Sequence, residues 1–191
     1  GKPFGSPEAL VQSPDHLCRS CRERPTFFDQ ALAAGHFEGP LREAIHIFKY
    51  RPLRALGKPL GAWMGAQIRL VHPLDVVLPV PLHRSRLRMR GFNQALLLAD
   101  AVRRRFALDL DYDNLIRPRP TRPQVELTGP ERARNVRDAF ALKRPGAVEG
   151  KRILLVDDVF TTGATLNECS RVLTAAGARS VTALTLARTM E

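Results

Sequence analysis

The sequence predicts an α/β protein, a parallel sheet flanked by helices, with a small cysteine-containing appendage at its N-terminal end. Two observations carry that prediction. Asp75–Val80 (DVVLPV), Lys151–Val156 (KRILLV) and Ser180–Ala187 (SVTALTLA) are short, mostly apolar runs, the pattern of strands buried on both faces. Segments of helical period lie between them, and strands alternating with helices build a parallel sheet. Length and composition agree. With 191 residues, 44% hydrophobic and 26% charged, the chain suits one main globular domain with its own core and is too apolar for a disordered one.

Residues 1–39 hold several prolines, the pair Cys18 and Cys21 and little periodicity, and are assigned to the appendage; residues 40–191 form the main domain. Leu41, Ala44, Ile45 and Phe48 share one helical face, and Pro40 suits the first turn of that helix. A second helix covers Leu56–Leu70. The strand Asp75–Val80 ends at Pro81, and the basic stretch Pro81–Arg90 reads as a loop. Asn93–Phe106 is helical by period, with Arg103, Arg104 and Arg105 at its C-terminal end, where cations suit the dipole. Arg117–Pro130 has four prolines and few apolar residues, and reads as a long loop of the kind kept for function. Glu131–Asp138 is a short polar helix, Lys151–Val156 the strongest strand, and Ala164–Ala176 the helix after it.

Thirty Lys+Arg against 19 Asp+Glu leave a formal charge of +11, and 25 of the thirty are arginine, the residue suited to bidentate contact with phosphate or carboxylate. Two readings stand for the runs that carry Arg86, Arg88 and Arg90, and Arg103, Arg104 and Arg105: a solvated surface, or a partner rich in phosphate such as a nucleic acid. The apolar stretches fall far short of the roughly 18 residues of a membrane span. With no secretion signal visible and too few cysteines for a disulfide framework, the expected place is the cytoplasm. Cys18-Arg-Ser-Cys21 has the spacing of half a tetrahedral zinc site, so Zn²⁺ requires further ligands, from upstream or from His16 or His36.

The chemistry concentrates in Leu154–Leu166, LLVDDVFTTGATL. A buried strand runs into two adjacent acids, then into a turn of hydroxyls and glycine that opens a helix. Ligands of open parallel sheets sit at such carboxyl ends. Thr161, Thr162, Gly163, Ala164 and Thr165 can wrap a phosphate with backbone N–H groups and hydroxyls, favoured by the helix dipole. Asp157 and Asp158 repel a phosphate, so their work is to accept from vicinal hydroxyls or to partner a metal ion. A phosphate cradle beside paired carboxylates is a site for a phosphorylated sugar.

That segment resembles the phosphoribosyl pyrophosphate (PRPP) signature of type I phosphoribosyltransferases. Val77–Ala99 (VLPVPLHRSRLRMRGFNQALLLA), Thr121–Phe140 (TRPQVELTGPERARNVRDAF) and CRSC at Cys18–Cys21 resemble the ComF family of competence-associated proteins, and together these segments cover most of the chain. The resemblance implies a type I phosphoribosyltransferase-like sheet. It implies that Asp157 and Asp158 hold the ribose hydroxyls and Thr161–Thr165 the 5′-phosphate. Pro81, Leu82, His83 and Arg84 become the pyrophosphate loop, and a flap around Arg119–Asn135, with Thr121, Gln124, Arg132 and Arg134, closes over the site. Mg²⁺ accompanies PRPP, single-stranded DNA and a helicase-like DNA-import protein are the implied partners, and natural transformation is the implied process. Purine-salvage members carry an acid where Thr161 stands, and threonine cannot serve as a base at neutral pH. A metabolic enzyme that uses a nitrogenous base, and a PRPP sensor without turnover, are the alternatives.

Overall fold

The computed structural model describes residues 26–51, 53–70, 72–121 and 128–189. In chain order the elements are β1 (Gln30–His36), α1 (Gly39–Tyr50), α2 (Gly57–Ala66), β2 (Val76–Pro79), α3 (Arg84–Arg90), α4 (Gln94–Phe106), β3 (Asp109–Leu110), β4 (Leu115–Ile116), α5 (Gly129–Val136), β5 (Ala141–Leu142), β6 (Arg152–Phe160), α6 (Ala164–Ala175) and β7 (Ser180–Arg188). Five strands form one parallel sheet in the order β1-β7-β6-β2-β3, and β4 pairs with β5 in a separate antiparallel ribbon. The expected parallel sheet flanked by helices is therefore present.

Both sheet faces are buried, which is why the strands read as apolar runs and not as alternating ones. Ile153 and Leu155 of β6 pack in one cluster with Leu166, Cys169 and Leu173 of α6. Leu154 and Val156 face the other way, into a cluster with Ile45 and Phe48 of α1, Met64 of α2, and Leu98 and Val102 of α4. The period-2 geometry of a strand makes that division. Among the described residues no helix is long and apolar enough to cross a membrane.

Three of the differences from the sequence-based expectation bear on the main sheet and its ligand end. Gln30–His36, counted with the appendage, is the edge strand of the main sheet, paired with β7 from Gln30↔Thr182 to His36↔Arg188. Its residues, QALAAGH, have little β propensity, and pairing imposes the conformation. Residues 84–90, read as part of a basic loop, form α3. Arginine, leucine and methionine are good helix formers. The His83 side chain caps the first turn by accepting from the Ser85 N–H at 3.3 Å, and Gly91 ends the helix at φ 76°. Finally, β6 runs past Val156 to Phe160, because Asp157 and Phe160 pair with Thr185 and Arg188 of β7.

The chain leaves β2 toward β3 on one side and β6 toward β7 on the other. Ligands of such sheets sit where neighbouring strands part in this way, outside the carboxyl ends of the two strands. Asn93 fastens that end: its amide donates to the Val80 carbonyl at 3.0 Å, and its side-chain oxygen caps α4 through the Ala95 N–H at 3.1 Å.

Candidate functional site

A cavity of about 490 Å³ opens at that switch point. Its floor is the end of β6 and the turn into α6: Asp157, Asp158, Thr161, Gly163, Ala164 and Thr165. Gly163 sits at φ 75° as the residue before the helix, so the backbone turns sharply and the first N–H groups of α6 face the cavity end. The Thr162 hydroxyl accepts from the Ala164 N–H at 3.5 Å, and Thr162 is not part of the wall.

Asp157 accepts from the Asp158 N–H at 2.8 Å, and Asp158 is paired with Lys49 of α1 at 3.0 Å, both side chains largely buried. Burial, and next the Asp158 carboxylate, push the Asp157 carboxyl up to about 7, against the pull of the Asp158 N–H, Lys49 and Arg117. An unfolded aspartate ionises near about 3.9. Between those values the native chain keeps a proton that the unfolded chain has released, so the stabilising contribution of Asp157 falls as pH rises through the window and is gone above it. Urea unfolding at about pH 5 and about pH 8 is expected to show a larger loss for the wild type than for Asp157→Asn, which has nothing to titrate there. Equal losses would move the titration elsewhere.

The remaining lining is largely apolar and carries several cations. Arg42 and Lys49 come from α1, Arg86 and Arg90 from α3, Arg117 from the residue after β4, and Arg132 from α5: six cations facing two carboxylates. Arg117 is 7% exposed, lies over the Phe140 ring at 5.0 Å and donates to the Thr121 hydroxyl. Its Nε is buried without a hydrogen-bond partner. Burial, and next the charge of Arg86, draw its pKa below the usual guanidinium value. Arg86 donates to the Thr121 carbonyl at 3.3 Å, so both arginines hold the same residue. Such a cavity attracts a multiply charged anion.

The sequence-predicted residues divide accordingly. Pro81 and Leu82 line the cavity, whereas His83 and Arg84 do not; the His83 ring is held by the Ser85 hydroxyl at 2.8 Å. Of the flap residues, Arg132 lines the wall, Arg119 donates to the backbone carbonyls of Asn135 and Arg137, Arg134 is exposed, and Gln124 lies outside the described residues. Arg86 and Arg90 are on the wall, and Arg88 is exposed on the same helix. Arg103 and Arg104 pair with Asp100 at 3.0 and 2.8 Å, and Arg105 donates to the Gly65 carbonyl at 2.8 Å. They sit roughly 15 Å along α4 from its cavity-facing N-terminus. Cys18 and Cys21 lie outside the described residues, among which no cluster of three or more His, Cys, Asp or Glu suits a metal. Sequence reasoning missed Lys49 and Tyr50 altogether, and it did not single out Arg117, although it marked the loop that begins there.

A family model described as phosphoribosyl transferase domain matches residues 93–191. Over 180 residues, 90% of this chain and 78% of the relative, the sequence is 32% identical to Competence protein F of Haemophilus influenzae. It is 31% identical over 188 residues to the DNA utilization protein YhgH of Escherichia coli strain K12, covering 95% of this chain and 82% of that one. Among solved structures, the glutamine PRPP amidotransferase from B. subtilis is similar with a TM-score of 0.49 and 23% identity, over 73% of this chain and 30% of that chain.

Proposed function

Since the chain belongs to the phosphoribosyl transferase domain family, and within it to the ComF-type competence proteins, we propose that it binds PRPP at the switch point and acts on single-stranded DNA in natural transformation. The observation that carries the PRPP half is the meeting, in one cavity, of the glycine turn before α6, the Asp157–Asp158 pair and the buried Arg117. Each matches one part of a phosphorylated sugar diphosphate.

In this reading the N–H groups at the start of α6 and the hydroxyls of Thr161 and Thr165 take the 5′-phosphate. Asp157 and Asp158 accept from the two ribose hydroxyls, and Lys49 holds Asp158 in place through their ion pair. Arg117 and Arg86 face the pyrophosphate, and the Arg117 Nε finds there the acceptor it lacks inside the protein. Two carboxylates without a third ligand are too few for an all-protein Mg²⁺ cage, but suit Mg²⁺ that arrives on substrate phosphates and keeps its waters. When bound, Mg²⁺ supplies charge neutralisation on the pyrophosphate. Among the described residues, the side chains on the wall able to take a proton from an acceptor are His46 and the two aspartates.

The DNA half draws on the names of the relatives and on the net charge of +11. A helicase-like partner in DNA import, a cytoplasmic location and zinc on Cys18 and Cys21 belong to the same proposal. Isothermal titration with PRPP is expected to give saturable heat that strengthens with Mg²⁺, and pyrophosphate release in the presence of candidate bases reads turnover separately. Absence of PRPP heat with and without Mg²⁺ would overturn the assignment.

A further inference from the structure

Beyond the carboxylates the cavity wall changes character. Phe37, His46 and Tyr50 form a row, with ring centroids 6.0 Å apart at 29° for the first pair and 5.8 Å apart at 36° for the second. Tyr50 is 63% exposed, so the row opens onto solvent at the mouth. Arg90 lies over the Tyr50 ring with its guanidinium carbon 5.8 Å from the centroid, wider than direct contact. Its NH1 donates to the Gln94 side chain at 3.2 Å, but its Nε is buried with no acceptor. A largely exposed aromatic ring beside an arginine with an unpaired donor matches a ring and an anion carried on one molecule, which is a nucleotide.

We propose that Tyr50 and Arg90 form a lip that takes one nucleotide of a single strand, its base stacked on Tyr50 and its phosphate accepting from the Arg90 guanidinium. This rests on the DNA half of the function above, and it adds where the strand lies: at the mouth of the ribosyl cavity. The exposure of Tyr50 favours a strand over a free base. A base at an open rim gains stacking on one face only, so most of the affinity must come from phosphates, and Arg84 and Arg88 continue the basic surface along α3 outside the cavity. Inside a duplex both faces of a base are stacked on its neighbours, hence the single strand. The other arginine run is occupied, Arg103 and Arg104 by Asp100 and Arg105 by the Gly65 carbonyl.

The test uses fluorescence anisotropy of a labelled oligothymidylate at low salt, with PRPP calorimetry on the same proteins. Tyr50→Ala is expected to weaken the oligonucleotide about 5- to 100-fold, the effect of one lost stacked base. Tyr50→Phe keeps the ring and should bind the oligonucleotide like the wild type, and the calorimetry reads the PRPP cavity of each protein separately. An oligonucleotide indifferent to Tyr50→Ala, or displaced by thymidine monophosphate at equal affinity, overturns the lip and leaves the PRPP reading in place. Tyr50-dependent oligonucleotide binding without any PRPP heat does the reverse. A wild type that binds no oligonucleotide at low salt overturns both the lip and the DNA reading.

Discussion

Gly163→Ala is expected to lower the melting temperature by about 5–15 °C and to weaken phosphate or PRPP binding by at least about tenfold. Two costs combine. Gly163 sits at φ 75°, where a side chain costs roughly 1–2 kcal/mol. A Cβ there meets the Phe160 ring, with Cζ at 2.6 Å and both Cε atoms at 3.2 Å. The ring has little room to move, since it is 9% exposed, packs edge-on to Phe28 at 6.1 Å and lies under the Arg188 guanidinium at 4.6 Å. Relieving the contact shifts the turn, and with it the N–H groups of α6. Thermal melting and titration with inorganic phosphate check both effects. An alanine protein that melts and binds like the wild type would mean that the turn is not the phosphate cradle.

The double variant Asp157→Asn with Asp158→Asn separates sugar recognition from anion recognition. A hydrogen bond to a charged group contributes roughly 1.5–3 kcal/mol, so losing two carboxylate acceptors should weaken PRPP by about a hundredfold or more. Pyrophosphate, which has no hydroxyls to offer, should bind as well or better, because the six cations of the wall then face no carboxylate. Calorimetry with the two ligands reads the difference. PRPP binding that survives the double change removes the carboxylates from the ribose site, and a parallel loss of pyrophosphate points to a collapsed cavity instead.

The strands at 76–79 and 180–188, and the first part of β6 up to Val156, were legible because burial on both faces leaves apolar runs that need no partner to be seen. Helix α4 was legible for a similar reason, since Asn93 at its cap and its apolar stripe are local marks. By contrast, β1 carries no β-branched residue and is a strand only because β7 lies beside it. The two-residue strands β4 and β5 are too short to show a period. The charge of residues 84–90 masked a helix whose residue types favour one.

The cradle itself is a local affair. A strand, two acids, a left-handed glycine and a helix start follow one another in the chain, and covalent order alone sets them side by side. The wall opposite is different in kind. Lys49, Arg86 and Arg117 stand on three separate segments far from Asp157 in sequence, and Tyr50 and Arg90 on two. They converge because β2 and β6 pair in parallel and α1 packs its Ile45 and Phe48 onto the sheet. Side chains that meet across such packing share no period and no spacing, so the glycine turn and the acids ahead of it are written in the order of residues, while the cations and the aromatic row that complete the cavity exist together only once the chain has folded.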